Sequence, residues 1–263
     1  MREAHPDQSR SNGGLNVRTP GDRPLFGPAT ACGSPTAPGV CRWPEIGRRL
    51  ARNRAWGTLG RVPDRYGPQT ALVVVDVQND FADPSGSLFV QGAADILPLV
   101  NSEVRLAAEA GAFVVYTKDW HPESTPHFAK DGGIWPVHCV ADSWGAELHP
   151  ALSVAGPAIH KGVSGEDGYS GFNVRDATTG ETAPTGLEAL LRDRDIANVV
   201  VVGLATDYCV SATAIDAAEL GFETEVLQDA IAAVDLTAGD GRAALGAMAA
   251  AGCTLGYCFG SLP

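Results

Sequence analysis

The sequence predicts an α/β fold: a three-layer α/β/α domain built on a mostly parallel sheet of about six strands, spanning residues 69–263. From Thr70 onward, short β-branched runs alternate with segments of helical period. Most of those runs are apolar at every position rather than at alternate ones, which is the pattern of strands buried on both faces. No repeat at solenoid spacing interrupts the alternation.

In chain order, residues 71–75 (Ala-Leu-Val-Val-Val) read as a buried strand ending at Asp76. A helical stripe at Leu97, Val100, Val104 and Ala107 marks a helix over 95–110. Pro98 is placed in its first turn, where the missing N–H is tolerated, and Gly111 supplies the stop. Residues 112–117 are a second strand. The stretch 118–157 shows no period and holds four of the six histidines; a loop that long in a compact domain is functional or disordered. Residues 158–161 form a short third strand, and 162–185 a second, glycine-rich loop. A helix over 186–194 with Thr185 as N-cap, a strand over 198–203 and a helix from Asp207 to Leu220 stopped by Gly221 come next. A strand over 223–228, a helix over 240–251 and a strand over 253–258 complete the alternation.

Residues 1–68 differ in kind. They are rich in Pro, Gly, Arg, Ser and Thr and offer too little apolar surface to offset the entropy of ordering, so they read as a disordered extension. Within it, residues 43–59 could make a short basic helix with Ile46 and Leu50 on one face. A leader, an organelle transit peptide or a mis-assigned start are the other readings this composition allows. The extension carries 11 Arg against 5 acidic residues, a balance of +6; with −12 overall, the remainder holds −18. So acidic a domain is not expected to bind nucleic acid or an anionic membrane, and no run approaches a membrane span. Six scattered cysteines without a C-x-x-C pair point to reduced thiols in a cytoplasmic protein, of unknown oligomeric state.

In open parallel sheets, ligands bind at the carboxyl ends of the strands. Asp76 ends the first strand, Asp119 and His121 follow the second, Lys161 ends the third and Cys209 follows the fourth, so five reactive groups share one rim. Cys209 falls in the first turn of a helix, whose free N–H groups are expected to lower its thiol pKa; the plainer alternative is a small buried apolar residue. Asp76 could take and return the thiol's proton, with Lys161 holding the two in register by charge. Asp119, His121, His127 and His138 offer donors suited to one divalent ion, zinc, iron or manganese, though such clusters also occur as solvated polar loops. His5, His149 and His160 are assigned no function.

Five ordered motifs resemble the nicotinamidases of the isochorismatase-like cysteine hydrolase superfamily, whose fold is Rossmann-like. They are Val75-Asp76-Val77-Gln78-Asn79-Asp80-Phe81, Thr117-Lys118-Asp119-Trp120-His121, Trp135-Pro136-Val137-His138-Cys139, His160-Lys161-Gly162 and Gly203-Leu204-Ala205-Thr206-Asp207-Tyr208-Cys209-Val210. The resemblance runs from about residue 71 onward and leaves 1–68 uncovered. It implies Asp76, Lys161 and Cys209 as a catalytic triad, and Asp119, His121, His127 and His138 as ligands of a metal that holds the substrate's ring nitrogen. It further implies a substrate pocket of Phe81, Trp135, Tyr169 and Leu204, an oxyanion hole from the backbone N–H groups of Ala205 and Cys209, and a cis Leu204–Ala205 peptide. The activity implied is hydrolysis of nicotinamide, or a similar small carboxamide such as pyrazinamide, through a cysteine thioester, in NAD salvage. The alternatives are another small-amide cysteine hydrolase of the superfamily, or a silent metal-binding module of the same fold; the cysteine speaks against isochorismate hydrolysis.

Overall fold

A computed structural model of the chain describes residues 65–258. The expectations for the extension up to residue 64, including the basic helix over 43–59, lie outside the described residues. The described residues belong to one compact unit.

In chain order the elements are β1 (Thr70–Val75), α1 (Asn79–Ala82), α2 (Ala93–Glu109), β2 (Phe113–Asp119), β3 (Ala158–Lys161), β4 (Asn173–Arg175), β5 (Thr182–Pro184), α3 (Leu187–Arg192), β6 (Asn198–Leu204), α4 (Ser211–Glu219), β7 (Glu223–Ala232), α5 (Asp240–Ala250) and β8 (Thr254–Gly256). Six strands form one sheet in the order β3-β2-β1-β6-β7-β8, with every neighbouring pair parallel. From β1 the chain works outward through β2 and β3; from β6 it works outward the other way. β1 and β6 pair in register from Thr70 with Asn198 to Val75 with Gly203, and they flank the topological switch point. A crevice opens there at the carboxyl ends of the strands.

All six residues of β1 are buried, because both sheet faces are covered. Leu72 and Val74, with Val114, Tyr116, Val200 and Val202, pack with Ile96, Val100 and Val104 of α2. Ala71, Val73 and Val75, with Val199 and Val201, pack with Leu187 and Leu191 of α3, Ala214 and Ala217 of α4, and Met248 of α5. Each fully buried valine stabilises this arrangement by about 1.5–3 kcal/mol relative to exposure. The result is the three-layer α/β/α domain expected. No helix among the described residues is long and apolar enough to cross a membrane.

Several local expectations need correction. α2 begins at Ala93, so Pro98 is its sixth residue and lies beyond the first turn, leaving the Ala94 carbonyl without its helical donor. The glycine-rich loop 162–185 contains the antiparallel pair β4–β5, whose three-residue strands are too short to show a period. β7 runs to Ala232, past Gln228, with a register shift against β6 between Val201 and Gly203. The helix expected from Asp207 opens instead as a π-helical turn, Thr206–Val210, which passes into α4. Arg65 and Tyr66, ahead of residue 69, already join the domain: Arg65 pairs with Glu225 at 2.8 Å, and the Tyr66 hydroxyl donates to Glu103 at 2.7 Å. The stretch 118–157 opens with the last residues of β2 and, apart from single 3-10 turns at Ala129–Asp131 and Trp144–Ala146, is irregular but tied down. His121 N–H donates to Cys139 O at 2.9 Å, and Cys139 N–H donates to the buried Asp80 carboxylate at 2.7 Å.

Candidate active site and metal centre

The strand ends around the switch point bring the predicted triad together. Asp76 leaves β1 with φ of 47°, a left-handed conformation that costs a non-glycine residue about 1–2 kcal/mol. Thr117 of β2 holds it there: the Asp76 N–H donates to the Thr117 carbonyl and hydroxyl oxygens, each at 3.3 Å, and the hydroxyl donates to Asp76 Oδ1 at 2.6 Å. Lys161 reaches in from β3, where its register partner in β2 is Asp119. Its Nζ lies 2.7 Å from Asp76 Oδ2 and 3.6 Å from Cys209 Sγ, and it also donates to Asp119 Oδ1 and to Gly168 O. Gly203 makes the close approach of β6 possible: its φ is 114°, and a Cβ there would stand 2.2 Å from Val75 O.

One buried ammonium between two carboxylates separates their roles. Burial opposes the charge on Lys161, but Asp119 and Asp76 outweigh it and hold the lysine protonated. Burial likewise acts against an ionised Asp119, yet Lys161 and His121 keep its pKa below the usual carboxylate range. For Asp76, burial dominates; Lys161 offsets it only in part and Asp119 adds to it, so this carboxyl is raised. Divergent environments for paired carboxylates mark the one suited to exchanging protons. Cys209 corrects the expectation of a lowered thiol pKa. Burial drives it well above its ordinary value, with Lys161 opposing and Asp76 adding, so the helix-end effect is overridden. A thiol, a carboxyl able to accept its proton and a fixed cation are the parts of a nucleophilic acyl-transfer centre. The Leu204–Ala205 peptide is cis.

Beside the triad, His121, His127 and His138 present nitrogens within 4.8 Å of one another. Asp119 joins the two groups: its Oδ1 accepts from Lys161, while its Oδ2 lies 3.7 Å from His121 Nε2 and 3.8 Å from His138 Nε2. The Pro136 carbonyl, 2.7 Å from His138 Nδ1, can only accept, so that nitrogen carries the proton and Nε2 keeps its lone pair. Burial pushes His138 down to about 4, and His127 is lowered for the same reason, so both rings are neutral. His121 is fully buried with no hydrogen-bond partner at either ring nitrogen. Such an orphan costs about 1–3 kcal/mol unless something satisfies it. Three imidazoles and one carboxylate fit a divalent metal ion.

A pocket with about 450 Å³ of empty space opens above Cys209. The four predicted pocket residues, Phe81, Trp135, Tyr169 and Leu204, all line it, with Ala205, Asp119, His127 and His138. Trp135 Nε1 donates to the Tyr169 hydroxyl at 2.9 Å, and Tyr208 packs edge-on to Trp135 at 4.9 Å. Asp76, Lys161 and His121 are buried beneath this lining.

Sequence reasoning missed several neighbours. Gln78, fully buried, clamps the Asp119 backbone: Nε2 donates to its carbonyl at 2.7 Å and Oε1 accepts its N–H at 2.8 Å. Gln78, Thr117 and Tyr208 all stand within the quoted motifs, where a signal was present. Leu88, Val90 and Val234 complete the pocket from loops, with no pattern to single them out.

The isochorismatase domain family matches residues 70–256. The nicotinamidase of Escherichia coli is 35% identical over 206 residues, covering 72% of this chain and 94% of the relative. Among solved structures, PnC1 of L. infantum in complex with nicotinate superimposes with a TM-score of 0.67 at 36% identity, covering 73% of this chain and 94% of that one. The pyrazinamidase of Pyrococcus horikoshii in complex with zinc gives 0.64 at 38% identity, covering 72% and 99%. With fold, strand-end chemistry and family match in agreement over the same residues, the chain belongs to the isochorismatase family.

Proposed function

We propose that this chain is a nicotinamidase, a cysteine amidohydrolase that converts nicotinamide to nicotinate and ammonia. The observation that carries this reading is the single Lys161 ammonium contacting Asp76, Asp119 and Cys209 together, which couples a nucleophilic centre to a metal-donor cluster beneath one aromatic pocket. The relatives named above supply the substrate class.

Cys209 attacks the carboxamide carbon as Asp76 takes the thiol proton, forming the S–C bond of a tetrahedral intermediate. The backbone N–H groups of Ala205 and Cys209 are assigned to its oxyanion. Asp76 returns the proton to the nitrogen, the C–N bond breaks and ammonia departs, leaving a thioester. Asp76 then accepts a proton from an attacking water, the C–S bond breaks and the thiol is restored with release of nicotinate. Throughout, Lys161 keeps its proton and fixes both carboxylates. Asp119, His121, His127 and His138 would hold one divalent ion, zinc, iron or manganese, which supplies a Lewis-acidic seat for the ring nitrogen. Phe81, Trp135, Tyr169 and Leu204 wall a flat ring. The reading places the enzyme in the reduced cytoplasm, and every assigned group lies within residues 65–258.

The pocket also discriminates among amides. No Arg or Lys stands on its lining among the described residues, whereas an amide bearing a carboxylate would need a cation to offset its desolvation. With the divalent ion taken up by the ring nitrogen, the lining offers an acidic substituent no side-chain cation, so uncharged aromatic amides are the preferred class. The test is ammonia release from nicotinamide, pyrazinamide and an equal set of carboxylate-bearing aliphatic amides, before and after chelation. Turnover of the neutral aromatic amides, lost on chelation, is expected. Preference for the acidic amides would overturn the substrate assignment.

A further inference from the structure

We infer that Asp167 is a positioning residue of the metal centre, fixing His127 so that its Nε2 lone pair is the one presented for coordination. The inference rests on the metal-site reading above. Asp167 Oδ1 lies 2.8 Å from His127 Nδ1. A carboxylate can only accept, so Nδ1 carries the proton and Nε2 is left with its lone pair. A carboxylate behind a ligating imidazole also raises its basicity toward a metal.

The placement of Asp167 is rigid from both sides. Its N–H donates to Arg175 O at 2.8 Å and its carbonyl accepts the Arg175 N–H at 2.9 Å, so β4 holds it. On the ligand side, the Thr125 hydroxyl donates to Gly165 O at 2.7 Å and accepts the His127 N–H at 3.2 Å, tying the two loops together. The two residues after Asp167 serve the rest of the site: Gly168 O accepts from Lys161 Nζ, and the Tyr169 hydroxyl accepts from Trp135 Nε1. One three-residue run therefore aligns a metal donor, the buried lysine and a wall of the pocket.

The test uses the full chain freed of metal and zinc alone as the probe, with affinity read by competition against a chromophoric chelator. Asp167→Ala is expected to weaken zinc binding about 10–100-fold. Asp167→Asn keeps an acceptor oxygen without the charge and is expected to lose less. Nitrogen-15 shifts of the His127 ring in the metal-free protein should show the proton on Nδ1 in wild type and Asp167→Asn, and a mixture in Asp167→Ala. A merely structural role would leave that tautomer signature unmoved. If Asp167→Ala does not fold, Asp167→Leu, which keeps the bulk and offers no acceptor, decides: zinc affinity equal to wild type overturns the inference. So does a wild-type ring protonated on Nε2, or zinc affinity of Asp167→Ala within about threefold of wild type. His127→Ala separates the two levels. If that variant also binds zinc normally, the metal-site assignment itself fails; if it binds weakly while Asp167→Ala binds normally, only the role of Asp167 fails.

Discussion

Replacing Lys161 by Met keeps most of the stem and removes the ammonium that contacts Asp76, Asp119 and Cys209. Carboxylate oxygens of Asp76 and Asp119 lie within 4.8 Å of each other. At an effective dielectric of about 20, two charges at that separation repel by about 3.5 kcal/mol, equivalent to roughly 2.5 pH units. Asp76 is already raised by burial, so it is the carboxyl that takes up a proton at neutral pH. Stranding buried partners of a removed charge costs about 3–5 kcal/mol, which for a domain of this size lowers Tm by roughly 10 °C. A protonated Asp76 cannot accept the thiol proton, and kcat falls by about 10²–10⁴. Calorimetry on metal-free protein, ammonia release, and infrared detection of a new carboxylic-acid carbonyl band absent in Lys161→Met/Asp76→Asn measure the three effects. A variant melting within about 2 °C of wild type and showing no such band would refute the placement of a shared charge at the centre of the site.

Gly203→Ala is expected to destabilise by about 2–4 kcal/mol, since its Cβ would stand 2.2 Å from Val75 O at a φ of 114°; urea midpoints report it, and a loss under about 0.5 kcal/mol contradicts it. Thr117→Val removes a hydrogen bond that lowers the Asp76 pKa, so the acid limb of kcat/KM assigned to Asp76 should move up by about one unit. An unmoved limb would assign that limb to another group. Burial, with the Glu103 charge, raises the Tyr66 pKa far above its usual 10. The unfolded chain therefore releases this proton first, and stability present below pH 10 is lost above it by about 1.4 kcal/mol per pH unit. Tyr66→Phe should flatten that decline, and an unchanged alkaline slope would contradict the assignment.

The parallel sheet was legible because its central strands β1 and β6 are buried on both faces, so the β-branched runs at 71–75 and 198–203 carry no competing helical period. The strand-end rule then placed Asp76, Asp119, Lys161 and Cys209 on one rim without coordinates. What stayed hidden depends on contacts distant in sequence. Asp167 meets His127 across 40 residues and Gln78 clamps Asp119 across 41, and neither pairing leaves a local period. The three-residue strands β4 and β5 are too short to register, and the π-helical opening of Thr206–Val210 is indistinguishable in pattern from an ordinary helix start. The thiol was misjudged for a physical reason: the helix-end field was weighed, while the burial that outweighs it is a property of the packed domain.

Ammonia release from nicotinamide by wild type and Cys209→Ala tests the covalent assignment most directly, with the fold of the variant checked by its Tm. Wild type is expected to turn over, and Cys209→Ala to lose at least about 10³-fold in kcat. No release by metal-loaded wild type, or undiminished release by Cys209→Ala, would contradict it.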